Sequence, residues 1–477
     1  MLFNSIEFAI FLPIVFLLYW FVFNKNLKLQ NLFVVVVSYI FYGWWDWRFL
    51  FLIAFTSACS YSAGILIDRH KNSPAKAKTI NTLNIIINLL ILGVFKYYGF
   101  FASSFADLFL GGKDEGLLLH LILPVGISFY TFQALSYSID VYKGKLEPTR
   151  DIVQYFAFVS FFPQLVAGPI ERATNLLPQF GKPRTFDYET GVDGMRQILW
   201  GLFKKVVVAD NCAAYVDTVF SSYQDQSGST LLLAAIFFAF QIYGDFSGYS
   251  DIAIGTAKLF GIKLMRNFNV PYFSRDIAEF WRRWHISLTT WFRDYVYIPL
   301  GGSRCSKAKI VRNTFVIFLL SGFWHGANWT FIVWGVYHAL LFLPLILLGK
   351  NRKYRDTVAQ DRLLPSLKEM GQMLLTFVLV VIGWVIFRAE SIGDALNYIR
   401  GICSSSLFTM PDASGVTGFT FAIVLMLIVE WLQRKRGHGL ELSQVTVGAI
   451  RYAIYLGILF LTVTLGGHAE NFIYFQF

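Results

Sequence analysis

Residues 329–349 read WTFIVWGVYHALLFLPLILLG, a run without Asp, Glu, Lys or Arg and with one histidine. At about 1.5 Å of rise per residue such a helix is roughly 30 Å long, the thickness of a bilayer's hydrocarbon core. Further apolar runs stand at 8–23, 32–46, 49–67, 80–101, 117–139, 152–168, 193–219, 230–256, 314–323, 371–387, 419–433 and 449–465, several too short to cross alone. The chain of 477 residues is 56% hydrophobic, 18% aromatic and only 15% charged, with mean hydropathy +0.53; soluble domains are roughly 45–50% apolar. The pattern predicts an all-α polytopic membrane protein, one domain over 1–477 with about eleven transmembrane helices in lipid.

The formal charge of +11 comes from 41 Lys+Arg against 30 Asp+Glu. The basic residues cluster between apolar runs, where cytoplasmic loops collect them, and form no recognised nucleic-acid motif. Cys59, Cys212, Cys305 and Cys403 are scattered without CxxC spacing, so no metal site or disulfide framework is expected. The first apolar run lacks a basic leader and a small-residue cleavage site, and reads as an uncleaved span.

Basic loops at Lys25 and Lys28, at Arg69–Lys78, at Lys143–Arg150, at Lys350–Arg355 and at Arg434–Arg436 set the sidedness. With these inside, both termini lie outside the cytoplasmic membrane. Between 257 and 313, Lys and Arg alternate with Phe, Trp and Tyr, which suits re-entrant or amphipathic helices at the cytoplasmic face rather than an ordinary span.

Ionisable groups inside such a chain are functional candidates by default. His325 lies in SGFWHGANW (321–329) with Trp324 and Asn328 beside it, and the flanking Gly322 and Gly326 leave room for a substrate chain to reach the ring. A neutral imidazole there can take a proton from an attacking hydroxyl and return it to the leaving group; a core histidine satisfied by a helix carbonyl fits the same residues equally. His285 lies in EFWRRWHISLTTWFRD (279–294), where Arg282 and Arg283 match the phosphate of an acyl donor and, with Trp284, fit an interfacial belt just as well. Asp245 and Asp251 of GDFSGYSD (244–251) need a partner, either a basic residue of 257–313 or a histidine to orient, and a role in helix packing fits them equally. His338 reads as a packing residue. HExxH, GxSxG, Walker A and GxGxxG motifs are absent from any supporting context.

Taken together these stretches resemble the membrane-bound O-acyltransferase (MBOAT) family, in its bacterial envelope branch of alginate and peptidoglycan O-acetylation and teichoic-acid D-alanylation. The likeness runs through MLFNSIEF at the start, PVGISFYTFQALSYSIDVY (124–142), FFPQLVAGPIER (161–172), YGDFSGYSDIAIG (243–255), NFNVPYFSRDIAEFWRRWHISLTTWFRDYVYIPLGG (267–302), GFWHGANWTFIVWG (322–335) and WVIFRAES (384–391).

That resemblance implies a helical bundle around a central tunnel, with the family's near-invariant histidine at His325 and its more variable polar position at His285. It implies an acyl group taken from a cytoplasmic thioester, acetyl-CoA or an acyl carrier protein, and passed to an extracytoplasmic polysaccharide, commonly with an SGNH-type partner enzyme. No bound cofactor is expected. FIYFQF (472–477) resembles the Phe-x-Tyr-x-x-Phe motif of these systems and marks Tyr474 as a candidate acyl carrier; an aromatic interfacial anchor is the plainer reading. The acyl group could instead be D-alanyl, and a flippase for a lipid-linked sugar or a scaffold subunit are readings of a different class.

Overall fold

The computed structural model describes residues 1–110, 122–166, 168–467, 470 and 472–473; Tyr474 lies outside them. Regular structure among the described residues is helical, in two compact units. The first takes Met1–Met195 and Ala253–Met265, the second Arg196–Ile252 and Arg266–Phe477.

In the first unit run α1 (Ile6–Leu17), α2 (Leu27–Gly43), α3 (Leu50–Arg69), α4 (Pro74–Leu92), α5 (Tyr98–Phe109), α6 (Ile127–Tyr142), α7 (Ile152–Ser160), α8 (Phe162–Leu165), α9 (Ala173–Phe180) and the start of α10 (Tyr188–Leu202). Their patterning is inverted relative to a soluble bundle. On α4, Asn81, Asn84 and Asn88 are buried, while Leu83 and Leu90 are 53% and 62% exposed. Asn84 accepts from Ser60 of α3 at 3.2 Å and donates to Ser138 of α6 at 2.9 Å. Polar groups that bond across helices, with apolar rows outside, are the arrangement a lipid solvent selects. Gly64 of α3 lets α6 approach so closely that a Cβ there would stand 2.5 Å from the Tyr137 ring.

The second unit holds the end of α10, α11 (Asp210–Ser221), most of α12 (Gly228–Leu259), α13 (Ile277–Arg283), α14 (Ile286–Phe292), α15 (Lys307–His325), α16 (Trp329–Leu347), α17 (Leu367–Arg388), α18 (Ile392–Ile402), α19 (Thr417–Leu432) and α20 (Gly448–Thr464). A π-helical turn, Phe203–Ala209, joins α10 to α11. Glycines at two helix contacts set the packing. A Cβ at Gly322 would sit 2.1 Å from the Phe331 carbonyl oxygen, and one at Gly335 2.4 Å from that of Phe318, so α15 and α16 close backbone to backbone. Gly201 against Gly248, and Gly244 against Lys204, likewise bring the end of α10 and the π-helical turn onto α12.

By length and composition, Trp47–Arg69, Pro74–Phe109, Gly228–Leu259, Trp329–Leu347 and Leu367–Arg388 are able to cross a membrane. Ile6–Val22, Leu27–Gly43, Thr417–Leu432 and Gly448–Thr464 are shorter apolar helices. The other four apolar runs take different forms. The run 152–168 breaks at Phe161, which turns out of the helix two residues before Pro163. The run 193–219 buries Lys204, Lys205 and Asp210. Of 117–139, the described helix starts only at Ile127. The run 314–323 is the apolar end of α15, whose first turns carry Lys307, Lys309 and Arg312. These three therefore belong to a long helix and not to the short-helix stretch 257–313, where α13 and α14 have seven residues each.

Candidate active site

His325 is the last residue of α15, and Gly326 leaves the helix in extended conformation. Asn328 then starts α16, its side chain accepting from Thr330 N at 3.1 Å and donating to Glu390 O at 3.0 Å. That hairpin fixes the His325 ring among Trp324, Trp334 and Phe387, with centroids 5.0, 5.3 and 5.4 Å away. The glycines beside it do not leave open room. Gly322 faces the α16 backbone, and a Cβ on Gly326 would stand 2.0 Å from the Phe331 ring, so both serve the hairpin's close packing.

His285 enters the same place from the other direction. It sits between α13 and α14 with φ +43°, a left-handed conformation that only glycine adopts without cost. Asn267 holds it there. The Asn267 carbonyl oxygen accepts from Ile286 N at 2.8 Å, and its side-chain Oδ1 faces His285 Nδ1 at 3.1 Å and accepts from Ser287 Oγ at 2.9 Å. Asn267 Nδ2 donates in turn to Ser250 of α12 at 3.0 Å. With Nδ1 donating to that oxygen, Nε2 is left as a buried acceptor with no partner among the described residues. Burial pushes the His285 imidazole down to about 3, so it stays neutral and suits accepting a hydrogen bond better than carrying a proton.

The two rings, 1% and 3% exposed, stand 6.3 Å apart between centroids. Trp324 lies against both, 5.8 Å from His285. Phe246 of α12 closes the His285 side at 4.6 Å. These rings keep water from the two imidazoles, which strengthens each polar contact they make.

The remaining candidates lie in other contacts. Trp284 turns from its neighbour His285 to pack edge-on against Phe268 and at a tilt against Trp384, at 5.0 and 4.8 Å. Arg283 pairs with buried Glu279 at 2.8 Å, and Arg282 donates to the carbonyls of Asn351 and Tyr354. Those guanidiniums tie a loop to α13, so the donor-phosphate expectation draws nothing from their contacts. His338 is buried in packing, accepting from Trp281 Nε1 at 3.3 Å. Asp245 and Asp251 pair with Lys205 and Lys204, at 2.8 and 2.6 Å, and not with a basic residue of 257–313. Sequence reading passed over Asn267, Lys204 and Lys205; the lysines carried a usable signal, since ammonium groups within an apolar run are rarely idle. Among the described residues no three His, Cys, Asp or Glu side chains are grouped to hold a metal ion.

Residues 149–353, which include both histidines, match the family described as MBOAT, membrane-bound O-acyltransferase. The chain is 42% identical over 414 residues to a Pseudomonas aeruginosa protein named Probable alginate O-acetylase AlgI, covering 86% of this chain and 76% of that one. It is 36% identical to a Peptidoglycan O-acetyltransferase of Helicobacter pylori, over 84% of this chain and 80% of that one. Identity to a Teichoic acid D-alanyltransferase of Bacillus subtilis is 30%, over 57% of this chain and 70% of that one.

Proposed function

The chain belongs to the membrane-bound O-acyltransferase family and is a multi-pass membrane acyltransferase; from that premise we propose that it O-acetylates a polysaccharide of the cell envelope. The observation that carries the reading is the meeting of His285 and His325, forty positions apart in sequence, in one buried aromatic chamber. Acetyl is favoured over D-alanyl by the graded likeness, 42% identity over 86% of the chain against 30% over 57%.

In this reading His325 is the general base, His285 accepts a hydrogen bond from the incoming hydroxyl, and Trp324 is the shared wall. The donor is an acetyl thioester of coenzyme A or of an acyl carrier protein, delivered from the cytoplasm. Tyr474 carries the group onward, and an SGNH-type extracytoplasmic partner completes transfer to the polymer. The protein sits in a bacterial cytoplasmic membrane with both termini outside, which requires an even number of crossings, close to the eleven that the apolar runs suggest. Ester-linked acetate released by mild base from envelope polysaccharide should be present in cells that express the chain and absent in cells that lack it. Release of D-alanine instead would select the D-alanyl alternative.

The sidedness has its own test. Half-buried Cys305 lies in the stretch proposed to face the cytoplasm. Exposed Cys403 lies between Leu367–Arg388 and Thr417–Leu432, and the same charge pattern puts it outside. An impermeant maleimide applied to intact cells should modify Cys403 and spare Cys305, and inverted vesicles should reverse the result. Labelling of Cys305 from outside would turn the topology over.

A further inference from the structure

Lys205 lies on the π-helical turn with its side chain 1% exposed. Its ammonium stands 2.7 Å from Asp210 Oδ1 and 2.8 Å from Asp245 Oδ1, and donates to the Glu470 carbonyl at 3.0 Å. Asp245 Oδ2 accepts from Ile473 N at 2.6 Å. Upstream, Gly467 N donates to Val206 O at 3.0 Å and Asn211 Nδ2 to Leu465 O at 2.8 Å. Phe472, fully buried, lies 4.5 Å from the Tyr249 ring and 5.7 Å from the Phe246 ring. Phe246 is the ring that closes the His285 side of the chamber.

A buried ion cluster is a poor source of net stability, because desolvation offsets most of its attraction. This one spends a donor on the Glu470 carbonyl and an acceptor on the Ile473 amide, so what it specifies is where those two residues lie. We propose that Lys205, Asp210 and Asp245 form a clamp that seats Glu470, Phe472 and Ile473 against α12 and the π-helical turn, next to the histidine pair. Tyr474 follows Ile473 directly in the sequence, so on the carrier reading the three clamp residues are positioning residues for it. The positioning half rests on Tyr474 being the acyl carrier; the seating half does not.

Hydrogen exchange of amides 466–473 in the full-length protein tests the seating. Two variants are needed. Phe472→Ala leaves the ion cluster whole. The triple change Lys205→Met, Asp210→Asn, Asp245→Asn removes its charges together, so no single buried charge is stranded. Exchange of the segment should rise by roughly tenfold or more in the triple variant and by less in Phe472→Ala, with α15 and α16 exchanging as in the wild type. Acylation should fall on the order of 10²-fold through kcat, with KM for the acetyl thioester unchanged, as for a misplaced reacting group. Wild-type exchange in the triple variant overturns the clamp; if the triple variant also loosens α15, Asp245→Asn alone, which weakens the contact to Ile473 N and leaves Lys205 paired with Asp210, decides by the same readout. Fast exchange with full acylation overturns the positioning role. If Tyr474→Phe is fully active, the carrier reading fails, and the exchange data then judge the clamp by themselves.

Discussion

Replacing His325 with alanine is expected to lower polymer acetylation by about 10²- to 10⁴-fold, the usual worth of a placed general base, at unchanged protein level. The ring is held by Trp324, Trp334 and Phe387 at the end of a helix whose packing depends on glycines, not on the imidazole. His285→Ala should be milder. A neutral ring that resists protonation contributes a hydrogen bond rather than proton transfer, and Asn267 and Ser287 remain to shape the loop. Ester-bound acetate per cell, with the protein quantified in membranes, measures both. A flippase or a scaffold subunit would tolerate His325→Ala, so wild-type acetylation in that variant removes the acyltransfer chemistry from this site.

Tyr474→Phe is expected to stop polymer acetylation with no loss of protein. The change keeps the ring, its size and any interfacial anchoring, and removes only the hydroxyl. A phenol with an ordinary pKa near 10 attacks a thioester at neutral pH only with a base to take its proton. In the proposed step the Tyr474 oxygen bonds to the acetyl carbon, His325 takes the phenolic proton, and the carbon–sulfur bond breaks. The departing thiolate then recovers that proton. The resulting aryl ester has a good leaving group and can pass its acetyl to a sugar hydroxyl. Full acetylation in Tyr474→Phe would leave the segment as an aromatic anchor alone.

The membrane character and the two histidines were legible in the sequence because both follow from the cost of polar groups in lipid. Apolar runs marked the long helices, and ionisable residues in unusual settings marked the two histidines that the structure brings together. Packing detail was not legible. Gly322 and Gly326 read as open space beside His325, but small residues equally mark close helix contact, and only the position of α16 decides between them. Asn267 carries no local signal, since its role depends on a left-handed turn at His285, eighteen residues on. Asp245 was recognised as needing a partner, but Lys205 reaches it only because Gly244 and Gly248 let a π-helical turn approach α12. Arg282 and Arg283 looked like phosphate ligands because a guanidinium suits phosphate and backbone carbonyls alike, and sequence does not say which is within reach.

The most direct measurement is the intact mass of the purified protein after incubation with an isotopically labelled acetyl thioester. Wild type should gain one base-labile acetyl group, and His325→Ala none. Equal labelling of the two would contradict the assignment of His325 as the base for acyl transfer.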